Sequence, residues 1–188
     1  TIEARALRLF RRIEDLLRIA RSDSGRIELE ARPVDLAAVV RAAEADLAPL
    51  IARAKLAIAS DVPPLPVTGD ADWLRQICGG IIENAVKYAG PGARLSIAGQ
   101  VAPDGAEAVL TFTDTGPGLP EAALAGVFDR FARGARGPGF GVGLALAAWV
   151  AEAHGGRITA ERAEAGGLRV RLALPLRTVD GEDICRAS

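Results

Sequence analysis

The chain has 188 residues, 49 % hydrophobic and 25 % charged, enough to bury the core of one compact domain with an appendage and to stay in solution. Lys and Arg number 23 against 24 Asp and Glu, a formal charge of −1, which argues against a polyanion partner such as nucleic acid. The longest apolar run, Gly141 to Val150, is far short of the roughly 20 residues of a membrane span. Thr1 to Arg21 is too dense in charge for a signal peptide. Cys78 and Cys185 stand in unrelated contexts beside one His, so no metal-ligand cluster is expected. Cys78 lies in an apolar helical stretch and reads as a small buried hydrophobe. The sequence has no Met and begins inside a helical pattern, which reads as a piece of a longer chain.

Ile2, Ala6, Leu9, Ile13, Leu16 and Ala20 alternate four and three apart, the stripe of a bundle or coiled-coil helix over residues 1–22. Ser22-Asp23-Ser24-Gly25 breaks it, and the alternation from Arg26 through Ile27, Leu29 and Ala31 predicts a half-buried strand. Asp35 is set to cap a helix running to about Lys55. A strand from Leu56 to Ser60 is expected to end at the turn Pro63-Pro64-Leu65-Pro66. Asp70 caps the next predicted helix, which stops before Gly90-Pro91-Gly92. Strands follow near Arg94 to Val101 and Ala108 to Asp114, then a helix from about Gly141 to Ala153. A final hairpin, Arg157 to Arg162 and Leu168 to Leu174, turns at Gly166-Gly167 ahead of a polar tail, residues 177–188. The grouping predicts an α+β fold: a two-layer sandwich, one mixed sheet with helices on one face.

Four short segments carry chemistry. In Glu83-Asn84-Ala85-Val86-Lys87-Tyr88 the residues Asn84, Lys87 and Tyr88 fall three to four apart on one helix face. An amide oxygen at Asn84 suits Mg²⁺, Lys87 offers a point charge to phosphate, and Tyr88 an aromatic wall. In Asp114-Thr115-Gly116-Pro117-Gly118 a carboxylate at a strand end can accept a hydrogen from the exocyclic amine of adenine. Gly116 and Gly118 there permit close backbone approach. Phe128 and Phe131 of Phe128-Asp129-Arg130-Phe131 would anchor a lid in which Arg130, Arg133 and Arg136 lie among small residues. Gly139-Phe140-Gly141-Val142-Gly143-Leu144 opens a helix, where unpaired N–H groups attract anions. It is neither a P-loop nor a Rossmann fingerprint.

In this order the segments resemble the N, G1, F and G2 boxes of the catalytic ATP-binding domain of sensor histidine kinases, a domain with the Bergerat-type fold. The resemblance spans about Asp35 to Pro175 and divides the chain into a partial bundle helix (1–22), a catalytic domain (26–176) and a tail (177–188). It implies ATP and Mg²⁺, with Asn84 on the metal, Asp114 on adenine, and Arg133 near the γ-phosphate beside Lys87. Tyr88, Gly116, Gly118, Phe131, Gly139, Gly141, Val142, Gly143 and Leu144 would complete the nucleotide site. It implies as partners a phosphoacceptor helix of the parent protein, a response regulator, and a second copy through the bundle helix. The setting implied is a cytoplasmic module of a parent that in some members is anchored in the inner membrane. His154-Gly155-Gly156 also matches the turn after the glycine-rich helix, and His154 reads as a helix C-terminal residue rather than a phosphoacceptor.

The sequence departs from the pattern at Gly80, where the family usually has Asn, at Ala132, where an aromatic is common, and at Val142, where Leu is common. Gly80 also lacks the carboxylate with which the ATP-hydrolysing branches of the superfamily activate water, which disfavours hydrolysis as the main activity. Two alternatives stay open at this level: a non-catalytic regulatory ATP-binding module, and an anti-sigma-type Ser/Thr kinase.

Overall fold

The computed structural model describes residues 29–124, 126–128, 143–164 and 166–177. The elements are β1 (Arg32–Asp35), α1 (Leu36–Ala54), β2 (Ala57–Asp61), β3 (Pro66–Gly69), α2 (Ala71–Tyr88), β4 (Arg94–Val101) and β5 (Glu107–Asp114). They continue with a single turn α3 (Glu121–Leu124), then α4 (Gly143–Ala153), β6 (Arg157–Arg162) and β7 (Leu168–Pro175). The expected bundle helix, the polar tail, and the segment holding Phe131, Arg133, Gly139, Gly141 and Val142 lie outside the described residues.

Five strands form one mixed sheet in the order β2-β4-β5-β7-β6, with β2 parallel to β4 and the other pairs antiparallel. Alternation separates its faces. Leu95, Ile97, Leu110, Phe112, Val170 and Leu172 are buried, whereas Arg94, Ser96, Ala98 and Arg171 are exposed. The inward set packs on Leu36, Val39 and Val40 of α1, on Leu74, Ile77, Ile81 and Ile82 of α2, and on Leu146, Ala147 and Val150 of α4. Helices therefore cover one face, as the α+β reading expected. Cys78 sits in this core fully buried, and burial pushes its thiol up to about 12.

Both predicted caps form. Asp35 Oδ1 accepts the Ala37 N–H at 3.0 Å and the Leu65 N–H at 2.9 Å, and Lys55 ends α1 in the left-handed region at φ 53°. Asp70 Oδ1 accepts the N–H groups of Asp72 at 3.1 Å and Trp73 at 3.2 Å. Two expectations need correction. The strand predicted from Arg26 is not formed over Leu29–Ala31: the Ala31 N–H turns back to the Leu29 carbonyl, and the Glu30 N–H goes to Asp70 Oδ2. With those donors used locally, pairing starts at Arg32, and β1 instead runs through Pro33 to Asp35. Its partner is β3, which begins at Pro66 inside what reads as a turn, and the pair forms a separate two-stranded sheet. Proline is tolerated there because a two-stranded ribbon leaves half its N–H groups unpaired.

Candidate functional site

At one end of the main sheet, β5 finishes at Asp114 between β4 and β7, with the last turns of α2 above it. A cleft opens there, lined by Ile81, Asn84 and Ala85 of α2, Leu95 and Phe112 of the sheet, Asp114, and Leu168 and Val170 of β7. Its lining is mostly apolar, and the polar side chains in it are those of Asn84 and Asp114. That composition, mostly apolar with a few placed polar groups, is that of a small-molecule site.

The Asp114 carboxylate is held from two directions. Oδ1 accepts the Gly116 N–H at 2.8 Å and the Leu168 N–H at 3.3 Å. Among the described residues Oδ2 has no hydrogen-bond partner, which leaves it as an acceptor on a cleft-lining side chain. Glycines allow this convergence. A Cβ on Gly116 would lie 2.5 Å from Ala89 Cα, so the loop after β5 can pass the end of α2 only without a side chain. Gly167, at φ +75°, brings the β6–β7 turn against the same strand end, and a Cβ there would land on the Asp114 carbonyl. Gly118, at φ +67°, lies against the Gly167 carbonyl, so the two loops pack backbone to backbone.

Of the residues singled out in the sequence, the structure brings Asn84 and Asp114 into one cleft, with Gly116 and Gly118 in the loop beneath it. Lys87 and Tyr88 do not line the cleft. Lys87 Nζ pairs with Glu83 Oε2 at 2.7 Å on the helix surface, and Tyr88 is 43 % exposed. Exposed i,i+4 pairs contribute only about 0.3–0.5 kcal/mol, so the Lys87 ammonium is readily redirected to a stronger anion. Gly143 is the first residue of α4 and Leu144 the second, and Phe128 is half-buried in the turn at 126–128. Gly80 faces open space on α2, four residues before Asn84.

Sequence reasoning missed the walls of the cleft and the part played by Gly167. Ile81 and Ala85 fall at three before and one after Asn84, and at helical spacing they read simply as core. Leu168 belongs to a hairpin more than fifty residues beyond Asp114, a proximity that only the antiparallel pairing of β5 with β7 creates. His154 follows α4 as expected, with its ring Nδ1 2.7 Å from the Val150 carbonyl, but its other nitrogen reaches a second element.

Residues 69–178 match the family described as histidine kinase-, DNA gyrase B-, and HSP90-like ATPase. The chain is 33 % identical over 183 residues to the signal transduction histidine-protein kinase BaeS of Escherichia coli K12, covering 94 % of this chain and 38 % of BaeS. It is 40 % identical over 159 residues to the probable sensor histidine kinase TcrY of Mycobacterium tuberculosis, covering 81 % of this chain and 32 % of TcrY. The chain thus spans well under half the length of either relative. Its fold superposes on the solved structure of the mycobacterial sensor histidine kinase MprB with a TM-score of 0.69 at 32 % identity, over 78 % of this chain and 99 % of that one. With more than half of its residues matched by the family and the MprB chain covered almost end to end, the protein belongs to the histidine kinase-, DNA gyrase B- and HSP90-like ATPases, as an ATP-binding domain of the sensor histidine kinase kind.

Proposed function

We propose that the chain binds Mg·ATP in the cleft between α2 and the β5–β7 end of the sheet and presents the γ-phosphate to a histidine outside this chain. Asp114 carries the reading. One carboxylate oxygen is fixed by two backbone amides and the other has no partner among the described residues, so a donor entering the cleft meets a charged acceptor that needs no reorganisation. The exocyclic amine of adenine is such a donor, and the apolar walls at Ile81, Ala85, Leu168 and Val170 suit a purine ring. Asn84, half-buried in the same cleft, offers the hard oxygen that Mg²⁺ prefers. Mg²⁺ bound there would neutralise charge on the phosphates.

The chain's own residues supply positioning and charge. Lys87 exchanges its Glu83 partner for phosphate, and the N–H groups at the start of α4, from Gly143 and Leu144, face an anion at the helix N-terminus. Arg133, Phe131, Gly139, Gly141 and Val142 join them in this proposal through the family resemblance. Phosphoryl transfer needs little covalent help from protein, so placement and charge neutralisation account for most of the acceleration. The remaining partners follow the same reading: a His-bearing bundle helix, a response regulator that takes the phosphate onward, and a second copy joined through residues 1–22. Among the described residues no helix is long and apolar enough to cross a membrane, and we place the module on the cytoplasmic side of its parent.

Calorimetric titration with ATP in the presence and absence of Mg²⁺ tests the first half. Binding that strengthens with the metal is expected, and no binding at millimolar nucleotide overturns it. Adding a separate His-bearing bundle helix with γ-labelled ATP tests the second. Label on that His is expected, whereas binding without transfer would favour a regulatory nucleotide module. Gly80, which puts no side chain into the open space beside Asn84, is the feature that would then explain the lost transfer.

A further inference from the structure

The end of the molecule opposite the cleft holds a cluster that the nucleotide site does not use. His154, immediately after α4, sets Nδ1 2.7 Å from the Val150 carbonyl and Nε2 3.0 Å from the Asp70 N–H. The partners fix the tautomer: Nδ1 donates to the carbonyl and Nε2 accepts from the amide. Asp70 in turn caps α2 with Oδ1 and accepts the Glu30 N–H at 3.2 Å with Oδ2. The imidazole is wedged as well as bonded, because a Cβ on Gly69 would lie 2.6 Å from its Cδ2 and 3.0 Å from its Nε2. One side chain thereby ties the end of α4 to the start of α2, and Asp70 ties both to the segment that leads into the domain.

We propose that His154 and Asp70 form a positioning clamp that holds α4 against α2, so that the start of α4 stays in register with Asn84. The inference rests on the proposed nucleotide site and adds residues that act on it from a distance. Because the end of α4 meets the start of α2, the two helices run in opposite directions, and the start of α4 lies toward the end of α2 that carries Asn84. About one turn from the clamp, at the same end of the two helices, Trp73 and Trp149 meet edge to face with ring centroids 5.5 Å apart, a second contact between the end of α4 and the start of α2. At 1.5 Å rise per residue α4 is about 16 Å long, so a tilt of only about 4° at the clamp moves its first residue by roughly 1 Å. A 1 Å misplacement can cost a reaction about a hundredfold in rate, and an anion-binding N–H moved out of hydrogen-bond reach of phosphate costs affinity on the scale of one hydrogen bond, about tenfold.

His154→Asn and His154→Gln separate the clamp from its surroundings. Asn is too short to reach the Asp70 amide, whereas Gln can place its amide oxygen where Nε2 stands. Dissociation constants for Mg·ATP are measured beside melting temperatures. Val40→Ala, a core truncation in α1 at a residue with no hydrogen bond to the clamp, serves as a control for destabilisation alone. The expected result is affinity about tenfold weaker in His154→Asn, restored to within about twofold in His154→Gln, and unchanged in Val40→Ala below its melting transition. If His154→Asn does not fold, Gly69→Ala, which crowds the ring at Cδ2 and Nε2 and presses it away from the Asp70 amide, is expected to show the same weakening. Native affinity in His154→Asn or Gly69→Ala, equal loss in the Asn and Gln variants, or an equal loss in Val40→Ala would overturn the clamp. If the unaltered chain binds no ATP, the proposed function fails and the clamp fails with it. If the chain binds and the variants bind equally, the clamp fails alone.

Discussion

Replacing Asp114 by Asn and by Ala separates the two tasks of its carboxylate. Oδ1 accepts the Gly116 N–H at 2.8 Å and the Leu168 N–H at 3.3 Å, and an Asn carbonyl in the same place keeps both bonds. Its NH₂ then replaces Oδ2 and meets the adenine amine donor to donor. Losing a hydrogen bond to a charged acceptor costs about 1.5–3 kcal/mol, roughly ten- to a hundredfold in affinity. Ala incurs the same loss and also leaves two half-buried amides unpaired, at about 1–3 kcal/mol each if water does not reach them. Asn is therefore expected to bind ATP ten- to a hundredfold more weakly with a near-native melting temperature. Ala is expected to bind as weakly and to melt roughly 2–4 °C lower for each kcal/mol lost. Discrimination against GTP should shrink in both, because guanine presents a carbonyl where adenine has its amine. Calorimetric titration with each nucleotide and a thermal melt suffice. Asp114→Asn with native ATP affinity would refute the reasoning and reduce Asp114 to a turn residue.

Four further outcomes are expected. Gly80→Ala should stabilise the chain by about 0.5–1 kcal/mol, since Gly80 is inside α2 with nothing within 4 Å of an added Cβ. Gly167→Ala should cost about 1–3 kcal/mol, since its φ of +75° and the Asp114 carbonyl both oppose a side chain; denaturant titration measures both, and equal shifts would contradict the contrast. The Cys78 thiol is pushed up to about 12 by burial, from an ordinary value of 9.0. Since the unfolded chain gives up that proton first, stability should hold below about pH 9.0 and fall as pH rises toward 12. That alkaline decline should be reduced in Cys78→Ala, and in a Cys185→Ser background thiol reagents should stay inert at pH 8 until the protein unfolds. Finally, γ-labelled ATP should leave His154 unlabelled, because both ring nitrogens are engaged at the far end of α4; acid-labile label lost in His154→Gln would reverse that assignment.

Local signals were strong enough to locate most elements from the sequence. Asp35 and Asp70 mark helix starts because a short carboxylate can reach back to the first free amides, a cause confined to three residues. Strands β4 and β6 alternate because the helices cover one face of the sheet, whereas β5 and β7 carry the buried runs Ala108, Val109, Leu110 and Leu172, Ala173, Leu174, which read as strands by their β-branched and apolar content and flanking turns. β3 was not legible, since Pro66 and Gly69 bound four residues whose ladder partner is another proline-containing strand and whose other contact, a bridge from Val67 to Leu176, comes from the far end of the domain. Leu29 and Ala31 alternate like a strand, yet their backbone is committed to a turn and to Asp70, forty positions away. In the cleft, the polar residues announce themselves by type, and the apolar walls do not. Ile81 and Phe112 are indistinguishable in sequence from the core residues beside them, and Leu168 meets Asp114 only through the strand order.

Strand order also explains why the glycines of this site fall into two physical kinds. Gly116 and Gly167 are required where the end of α2 and a distant hairpin turn crowd the end of β5, and each removes a Cβ that would collide with backbone. Their absence of side chain lets Asp114 Oδ1 reach both the Gly116 and Leu168 amides. The carboxylate is thereby oriented by the fold before any ligand arrives, and its second oxygen can meet a donor without an entropic cost of ordering. Gly80 has no such explanation, as nothing among the described residues presses on it. A helix-interior glycine that packs against nothing weakens its helix by roughly 0.5–1 kcal/mol relative to Ala with no return in packing. What it leaves on α2 is unfilled space one turn from Asn84, so any consequence of Gly80 has to be sought in what occupies that space when nucleotide is bound.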